Sequence, residues 1–514
     1  MRKFSFLFFI FFTTIATAQY TNVMISDQNS PTEPAITINT NDTNILFAGA
    51  NLNNYYISTD FGYTWNSYQL SSSYGVWGDP SLAIDNSGSL YFFHLSNASS
   101  WLDRIVCQKS IDNGQTFNDG TFFGLNGNKD QDKEWATIDH ANNNIYVLWT
   151  QFDSYGSTNA LCKTQIMFTK STDNAQTWST PIKINQVDGN CEDSDLTVEG
   201  AVPAIGPNGE IYTSWSGPNG IVFNKSTDQG NTWLTNEILV DNMPGGWDFA
   251  IPGLDRANGM PITKCDISGG VNNGTIYINW SDQRNGTNDT DIWLKKSSDG
   301  GNTWSNLIRV NNDVAGKHQF LSWMDIDQTD GTIYIVFYDR RNYNDNRTDV
   351  YLAYSTDGGN TFINTKISES PFIPNSSAFF GDYTNIAAHN GIIRPIWARM
   401  DGTNSSIWTA IVQKNVLNTE QFKVATDFDI ENYPNPVTDE FILKFNLRKP
   451  ENISLTLSNI LGEKVLNLID NKPFGYGKHL IKKTFSEMQL PNGIYFYNLK
   501  IGNKHFSKKV IVGL

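Results

Sequence analysis

The stretch that decides the fold is Ser58-Thr59-Asp60-Phe61-Gly62-Tyr63-Thr64-Trp65, which has the pattern Ser-x-Asp-x-Gly-x-Thr-Trp. Five further copies follow, and their acidic residues are Asp112, Asp173, Asp228, Asp299 and Asp357. Successive acidic residues of the six copies are 52, 61, 55, 71 and 58 positions apart. This spacing suits one four-stranded sheet per copy, and radial arrays of such sheets are β-propellers.

The chemistry of the motif predicts a turn. Short Ser and Asp side chains accept hydrogen bonds from nearby backbone N–H groups, Gly permits a positive φ, and the aromatic residue fills the gap between neighbouring sheets. We therefore expect a structural role for the acidic residues of all six copies. Ala175 replaces Gly in the third copy, so that turn is either strained or differently shaped.

The number of repeat units follows from the strands that remain after the sixth copy. Three strand patterns lie between Asp382 and Val412, one short of a complete unit, and no seventh motif follows. The segment Val23–Asp27 resembles the outer strands of other units, so we expect it to pair with the last unit and close the ring. The prediction is an all-β, seven-bladed propeller over residues 19–415, with six blades as the alternative.

The two ends of the chain have different characters. Arg2 and Lys3 precede an apolar run and a short Ala-Thr-Ala stretch, a pattern typical of an export signal over residues 1–18. No later long apolar segment predicts a transmembrane helix. Residues 428–514 carry 12 Lys and Arg against 8 Asp and Glu and alternate like short strands, which predicts a separate Ig-like β-sandwich after a linker at 416–427.

The net charge limits the classes of binding partner, and the cysteine positions predict one cross-link. The chain of 514 residues has a formal charge of −15, which disfavours nucleic acid as a partner. Cys162 and Cys191 flank one repeat unit and are predicted to form a disulfide, whereas Cys107 and Cys265 lie in apolar strand patterns and are predicted to be buried thiols. The histidines are scattered, so no metal site or cofactor is expected.

The sequence patterns described above resemble those of two known families. The six motifs resemble the Asp-box (BNR) repeats of sialidase-like propellers, in which the box joins the two outer strands of a blade on the face away from the active site. Sialidases of this kind bind a sugar carboxylate with three arginines and use a Tyr nucleophile activated by Glu, with an Asp acid/base. The Arg-Ile-Pro motif of those enzymes does not precede the first copy here.

The C-terminal segment resembles the type A sorting domain of type IX secretion in the Bacteroidetes. The resemblance rests on Asn432-Tyr433-Pro434-Asn435-Pro436, on Leu461-Gly462, on Pro491–Tyr495 and on the basic terminal strand. It implies passage through the type IX machinery, followed by release or attachment at the cell surface.

In a propeller, the starts of the inner strands and the loops between second and third strands open on one face. The predicted strand starts carry mostly carboxylates and are Glu33, Asp79, Glu134, Glu199, 258–261, 318–319 and 382–383. Converging carboxylates raise one another's pKa, as an acid/base pair requires, although such residues can instead hold the backbone of a neighbouring blade. The predicted catalytic residues are Glu134, ranked first, with Glu199, Asp382 and Tyr383.

Arginines in the same loops are candidate ligands for an acidic sugar. Asp282-Gln283-Arg284-Asn285 recurs 57 positions later as Asp339-Arg340-Arg341-Asn342, and recurrence also fits an internal Asp–Arg clamp. Arg256 lies in a loop that no other unit repeats, which favours a functional role. The predicted substrate-binding residues are Arg256, Arg284, Arg340, Arg399, His318 and Trp135.

Together these features predict a secreted, monomeric carbohydrate-active protein, a sialidase-like glycoside hydrolase acting on an acidic or decorated glycan. Two alternatives stay open. One is a surface propeller that binds glycans without cleaving them. The other is a polysaccharide lyase with a base such as His318 and with Arg256 neutralising a uronate.

Overall fold

The computed structural model describes residues 20–98, 100–414, 430–433, 437, 440–447, 449–459, 463–488, 490–502 and 504–512. The predicted signal peptide (1–18), the linker (416–427), Pro434-Asn435-Pro436 and the Leu461-Gly462 turn lie outside the described residues. The chain divides into two compact units, Met1–Val412 and Gln413–Leu514. In the described part of the chain, no helix has the length and apolar character needed to cross a membrane.

The first unit consists of antiparallel sheets that follow one another along the chain. It begins with β1 (Asn22–Ser26). Sheet 1 contains β2 (Ala35–Ile38), β3 (Leu46–Ala50), β4 (Asn54–Ser58) and β5 (Asn66–Gln69). Sheet 2 contains β6 (Ser81–Ile84), β7 (Leu90–Leu95), β8 (Ile105–Ser110) and β9 (Thr121–Phe123). Sheet 3 contains β10 (Asp130–Asp139), β11 (Asn144–Phe152), β12 (Thr164–Ser171) and β13 (Ile182–Lys183).

The remaining sheets of this unit have the same pattern. Sheet 4 contains β14 (Glu199–Ile205), β15 (Ile211–Gly217), β16 (Gly220–Ser226) and β17 (Ile238–Asp241), and is followed by a hairpin of β18 (Asp248–Phe249) and β19 (Ala257–Asn258). Sheet 5 contains β20 (Ile262–Cys265), β21 (Ile276–Asp282), β22 (Asp291–Ser297) and β23 (Ile308–Arg309). Sheet 6 contains β24 (Gln319–Asp327), β25 (Thr332–Asp339), β26 (Asp349–Ser355) and β27 (Ile363–Lys366). Sheet 7 contains β28 (Asn385–His389), β29 (Ile392–Asp401), β30 (Asn404–Ala410) and β31 (Val412–Gln413).

The sheets are arranged in a closed order. The first strand of each sheet contacts the first strand of the next sheet, and β28 of sheet 7 contacts β2 of sheet 1. The N-terminal strand β1 pairs antiparallel with β30, with Asn22 opposite Ala410 and Met24 opposite Trp408. The outer edge of sheet 7 is therefore covered by the start of the chain, as the strand count in the sequence predicts. The prediction of an all-β fold is confirmed.

Each Asp-box motif forms the turn between the third and fourth strands of its sheet. In the fourth copy, Ser226 Oγ donates to Asp228 Oδ1 over 2.7 Å and accepts from Gly230 N over 2.8 Å. Asp228 also accepts from the backbone N–H of Thr232 over 2.8 Å. The same bonds recur in the other five copies. Ala175 keeps this geometry with a φ of 65°, so the third turn is strained rather than differently shaped.

Aromatic side chains fill the space between neighbouring sheets. Trp178 of the third motif lies 4.6 Å from the ring of Phe123 in the preceding sheet. Trp149, Trp215 and Trp280, on the second strands of sheets 3, 4 and 5, are fully buried. Burying an aromatic side chain removes 150–250 Å² from water, about 4–6 kcal/mol at 25 cal/mol per Å². The site described below is thus built on rigidly packed sheets.

The second unit contains two sheets around one core. The first sheet has β32 (Glu431–Tyr433), β33 (Glu440–Leu447) and β36 (Gly477–Thr484), and the second has β34 (Glu451–Ser458), β35 (Lys464–Phe474), β37 (Gly493–Ile501) and β38 (Lys504–Val512). A short helix, α1 (Phe485–Met488), follows β36. Alternate residues of β33 are buried, and Phe441 and Leu443 share a core with Leu455 and Tyr497 of the other sheet. This alternation is the period of two that the sequence shows.

Candidate functional site

One face of the first unit carries a cavity of about 570 Å³, which we call the mouth cavity. It is lined by residues at the starts of inner strands and by the loops that join second to third strands, the two sets that the sequence analysis places together. The lining residues at strand starts include Glu33, Asp79, Asp132 and Lys133, and those in loops include Asn51, Trp101, Tyr155 and Thr403. Glu33, Asp79 and Lys133 have φ values of 50°, 51° and 51°, so the backbone makes the same kink at all three starts.

Lys133 is the centre of the polar part of the site. Its Nζ lies 2.8 Å from Asp382 Oδ2, 3.0 Å from Asp79 Oδ2 and 3.5 Å from Glu33 Oε1, and its side chain is 5% exposed. We call these four residues the Lys133 cluster. Sequence reasoning missed Lys133 because it chose the next residue, Glu134, as the start of the inner strand. The sequence did contain a signal for Lys133. Lys133-Glu134-Trp135 aligns with Asp79-Pro80-Ser81, which puts Lys133 rather than Glu134 at the position of Asp79.

The members of the Lys133 cluster have opposite pKa shifts. Burial, with the nearby charge of Asp79, raises the pKa of Glu33 well above its ordinary value. Burial also acts to raise the pKa of Asp382, but Lys133 and Arg256 outweigh it and hold that pKa well below its usual range. The pKa of Lys133 is raised, because its three carboxyl neighbours outweigh the effect of burial. The cluster therefore combines a proton-holding carboxyl with an ionised one.

Arg256 connects this cluster to the next loop. Its Nε donates to Asp382 Oδ1 over 2.8 Å, its Nη2 also donates to Asp382, and its Nη1 lies 3.2 Å from Asp193 Oδ2. The guanidinium lies 5.1 Å from the centre of the Phe379 ring, and the side chain is 39% exposed. The unrepeated loop that carries Arg256 includes the β18–β19 hairpin and accounts for the longest spacing between motifs.

Asp132 and Tyr155 line the cavity next to Arg256, and Asp193 contacts both Tyr155 and Arg256. Burial, reinforced by Asp79 and Asp193 and opposed by Lys133, raises the pKa of Asp132 to about 7. The Tyr155 hydroxyl donates to Asp193, whose side chain is 21% exposed. Trp101, which is 45% exposed, lies edge-on to the Tyr155 ring at 5.4 Å. Sequence reasoning named none of these four residues as catalytic or sugar-binding.

The predicted catalytic residues Glu134 and Glu199 lie in the interior. Each is 1% exposed, and burial raises the pKa of both carboxyls well above the ordinary value. Neither Glu134 oxygen has a hydrogen-bond partner within the described residues. Both residues are absent from the lining of the mouth cavity.

The other two predicted catalytic residues, Asp382 and Tyr383, line a small crevice with Trp135 and Trp323 rather than the mouth cavity. Asp382 is held by Lys133 and Arg256 as described above. The Tyr383 ring packs against Trp135 at 6.0 Å and Trp323 at 5.8 Å, and burial raises the pKa of its hydroxyl. Trp135 and Trp323 of this aromatic group also line a second cavity of about 520 Å³, together with inner-strand residues such as Ala83 and Val202. Trp135, predicted to stack on sugar, is 6% exposed and belongs to this packing.

Four predicted substrate-binding residues lie outside the mouth cavity. Arg284 bonds to Asp282 and Asp241, and Arg399 bonds to Asp401. Arg340 donates to Thr348 Oγ1 over 3.0 Å and to the carbonyl of Pro252 over 2.7 Å. Burial lowers the pKa of His318 to about 4, and its Nδ1 lies 3.0 Å from Thr290 Oγ1.

The recurring Asp–Arg pattern is an internal clamp in the structure. Asp282 pairs with Arg284, and the equivalent pair in sheet 6 is Asp339 with Arg341 rather than Arg340. In both copies the carboxylate also accepts the backbone N–H of the arginine, at 3.1 and 2.7 Å. The guanidinium groups are thus occupied by the protein itself.

Cys162 and Cys191 form a disulfide, with their Cα atoms 5.7 Å apart, while Cys107 and Cys265 are buried thiols. Across the described ranges, no group of three or more His, Cys, Asp or Glu side chains is arranged to hold a metal ion.

Comparison with known families identifies one part of the chain. Residues 431–513 match the family model of the secretion system C-terminal sorting domain. The C-terminal unit is a sorting domain. It indicates secretion, or attachment at the outer surface, through the type IX system of the Bacteroidetes. No curated protein shows significant similarity to the chain.

Solved structures similar to this chain include glycan-active enzymes. The Hadza microbial sialidase Hz136 is 16% identical with a TM-score of 0.41, and the alignment covers 72% of this chain and 74% of that one. An ulvan lyase of polysaccharide lyase family PL25 is 16% identical with a TM-score of 0.46, covering 77% and 96%. The Trypanosoma rangeli sialidase is 12% identical with a TM-score of 0.40, covering 87% and 85%. At these identities and TM-scores the likeness does not assign an activity.

Proposed function

We propose that this protein is a secreted glycoside hydrolase whose active site is the mouth cavity of a seven-bladed propeller. The blades are sheets 1 to 7, whose first strands contact one another in a closed order. The single observation that supports the site most strongly is that Asp132 lines this cavity, while Asp193, whose charge acts on Asp132, pairs with Arg256 of the same lining. Two carboxyl groups with different protonation are what glycoside hydrolysis requires.

Asp132 is the proposed proton donor. Its pKa of about 7 keeps a proton on the carboxyl in a large fraction of molecules at neutral pH. Asp193 is the proposed second carboxyl group, since it accepts from the Tyr155 hydroxyl and pairs with Arg256. Its partly exposed side chain can act on a water molecule, or through Tyr155, at the sugar carbon opposite the leaving group.

The sugar itself would be held by the exposed side chains around this pair. Trp101 presents an aromatic surface on the rim, and such surfaces stack on sugar rings. Arg256 already donates to Asp382 and Asp193, so a sugar carboxylate would have to compete with two protein carboxylates for it. This competition favours a decorated glycan over a strongly acidic one as the substrate.

The proposal is tested with the purified full-length chain on a broad glycan panel that includes sialosides and uronate-containing polysaccharides. We expect release of reducing ends from at least one glycan. Asp132→Asn should lower that rate by about 10² to 10⁴, because the amide cannot donate a proton. The control is Asp345→Asn, the same substitution in the loop between the second and third strands of sheet 6, because Asp345 lies outside the cavity and its exposed pair with Arg347 contributes little.

Other outcomes would replace this function with one of its alternatives. Binding of a glycan without cleavage would favour a glycan-binding propeller. Absorbance near 235 nm would indicate elimination by a lyase. The residue predicted as the lyase base, His318, bonds Thr290 and does not line the mouth cavity, which disfavours that reaction. An unchanged rate in Asp132→Asn would remove Asp132 from the mechanism.

A further inference from the structure

The disulfide of this protein lies beside the mouth cavity. Cys162 belongs to the loop between β11 and β12, and Cys191 to the segment between β13 and β14. Two isolated bridges add to the connection between these segments, one from Ser157 to Cys191 and one from Thr164 to Gly189. The disulfide therefore ties together two loop segments rather than two sheets.

The same two segments carry Tyr155 and Asp193. Tyr155 packs against a small apolar cluster formed by Phe152 and both cysteines, and its backbone N–H donates to Asp130 Oδ2 over 2.8 Å. Asp193, two residues after Cys191, has a φ of 55°, in the left-handed region. The Tyr155 hydroxyl then donates to Asp193, and Asp193 pairs with Arg256.

We propose that the Cys162–Cys191 disulfide is a positioning element of the mouth cavity, which holds Asp193 against Tyr155 and Arg256. This inference rests on the proposed function for its effect on turnover. Sheet 3 has its own support, because β11 and β12 pair over eight residues, from Ile145 opposite Ser171 to Phe152 opposite Thr164. What the disulfide constrains is the pair of segments beyond the ends of these strands.

The first experiment measures the position of Tyr155 without a substrate. Tetranitromethane modifies tyrosines at rates set by exposure and by the phenolate fraction, and burial of Tyr155, with the charges of Asp132 and Asp193, raises its pKa and suppresses the phenolate. In Cys162→Ser/Cys191→Ser, mapped by mass spectrometry, we expect nitration of Tyr155 to be at least threefold faster than in the wild type. Tyr63, which is 49% exposed in the first Asp box, is the internal reference and should not change.

The matched control perturbs the same loop without touching the disulfide. Lys129→Ala removes an exposed ion pair with Asp153 at the start of the loop, and should leave the nitration of Tyr155 unchanged. If the double variant does not fold, the wild type is reduced with a phosphine, alkylated and nitrated in the same way. An unchanged Tyr155 rate in either folded, disulfide-free protein would overturn the proposal.

The second experiment uses the glycan that the full-length chain cleaves. We expect kcat/KM of the double variant to be at least tenfold lower than that of the wild type. We also expect its activity, which requires protonated Asp132, to decline at a lower pH. The pH shift is expected because Asp193, when displaced, no longer raises the pKa of Asp132. A disulfide that acts only on stability would lower the unfolding temperature without moving this pH profile. If no glycan is cleaved, the proposed hydrolase fails, while the nitration result still decides the role of the disulfide.

Discussion

Replacing Lys133 with Met tests the electrostatic centre of the site. The substitution keeps an unbranched side chain but removes the cation that Asp382, Asp79 and Glu33 share at 2.8, 3.0 and 3.5 Å. Leaving buried carboxyls without their partner costs about 3 to 5 kcal/mol. We expect the variant to lose this amount of unfolding free energy at pH 8.

The size of the loss should depend on pH. Without Lys133, one of the clustered carboxyl groups keeps its proton in the folded protein at neutral pH. In the unfolded chain the same group has its ordinary pKa and has lost that proton. The folded pKa is then raised, so stability is present at low pH and is lost as pH rises toward the folded value. One such proton changes the unfolding free energy by about 1.4 kcal/mol per pH unit, so most of the loss should disappear by pH 5.

The assay is urea unfolding followed by tryptophan fluorescence at pH 5 and pH 8, on the wild type and on Lys133→Met. Lys264→Met is the matched control, because Lys264 has a single carboxylate partner, Asp325, at 3.0 Å and both side chains are partly exposed. The control should lose less than about 1 kcal/mol, with little dependence on pH. An equal loss at pH 5 and pH 8 in Lys133→Met would refute the reasoning.

Three further predictions concern the clamps, the turns and the proposed acid. Arg284→Ala removes the cationic partner of the buried Asp282 carboxylate and one of the two cationic partners of Asp241, the other being Lys295, and should cost about 3 to 5 kcal/mol in urea unfolding, without changing turnover per folded molecule. Gly230→Ala, at a φ of +79° with its new Cβ 2.3 Å from Phe168 Cζ, should cost about 2 to 4 kcal/mol in the same assay, and a neutral result would contradict the packing of that turn. Above pH 7, kcat/KM should fall about tenfold per pH unit as Asp132 loses its proton, and a flat profile to pH 9 would exclude it as the acid.

The fold was predictable because its signals are local. Each Asp-box turn is specified by four side chains within eight residues, and the period of the copies sets the size of each sheet. Even the long-range pairing of β1 with β30 followed from counting strands, since the last unit lacked one. The unrepeated loop around Arg256 was also a usable signal, because a segment outside the repeat is free of the constraints that the repeat imposes.

The site was less predictable because it depends on register and on loops. An error of one residue in the register puts Glu134 in place of Lys133 at the strand start. Because successive side chains of a strand point to opposite sides, Lys133 lies in the cavity and Glu134 in the interior. The pair of Tyr155 and Asp193 is brought together by loops that share no motif, and only the disulfide between them gives a hint in the sequence. The 57-residue offset aligns Arg284 with Arg341, so the pattern did indicate the clamp residue, whereas Arg340, chosen as a sugar ligand, bonds to the carbonyl of Pro252.

The most direct test of the proposed active site is a crystal structure of Asp132→Asn with an oligosaccharide of the cleaved glycan. The account predicts density in the mouth cavity, with a sugar ring on Trp101, and the glycosidic oxygen within hydrogen-bond distance of residue 132. It also predicts that the sugar carbon of the bond to be cleaved faces Asp193 or Tyr155. Density in the second cavity, or a sugar bound elsewhere on the sheets with an empty mouth cavity, would contradict it.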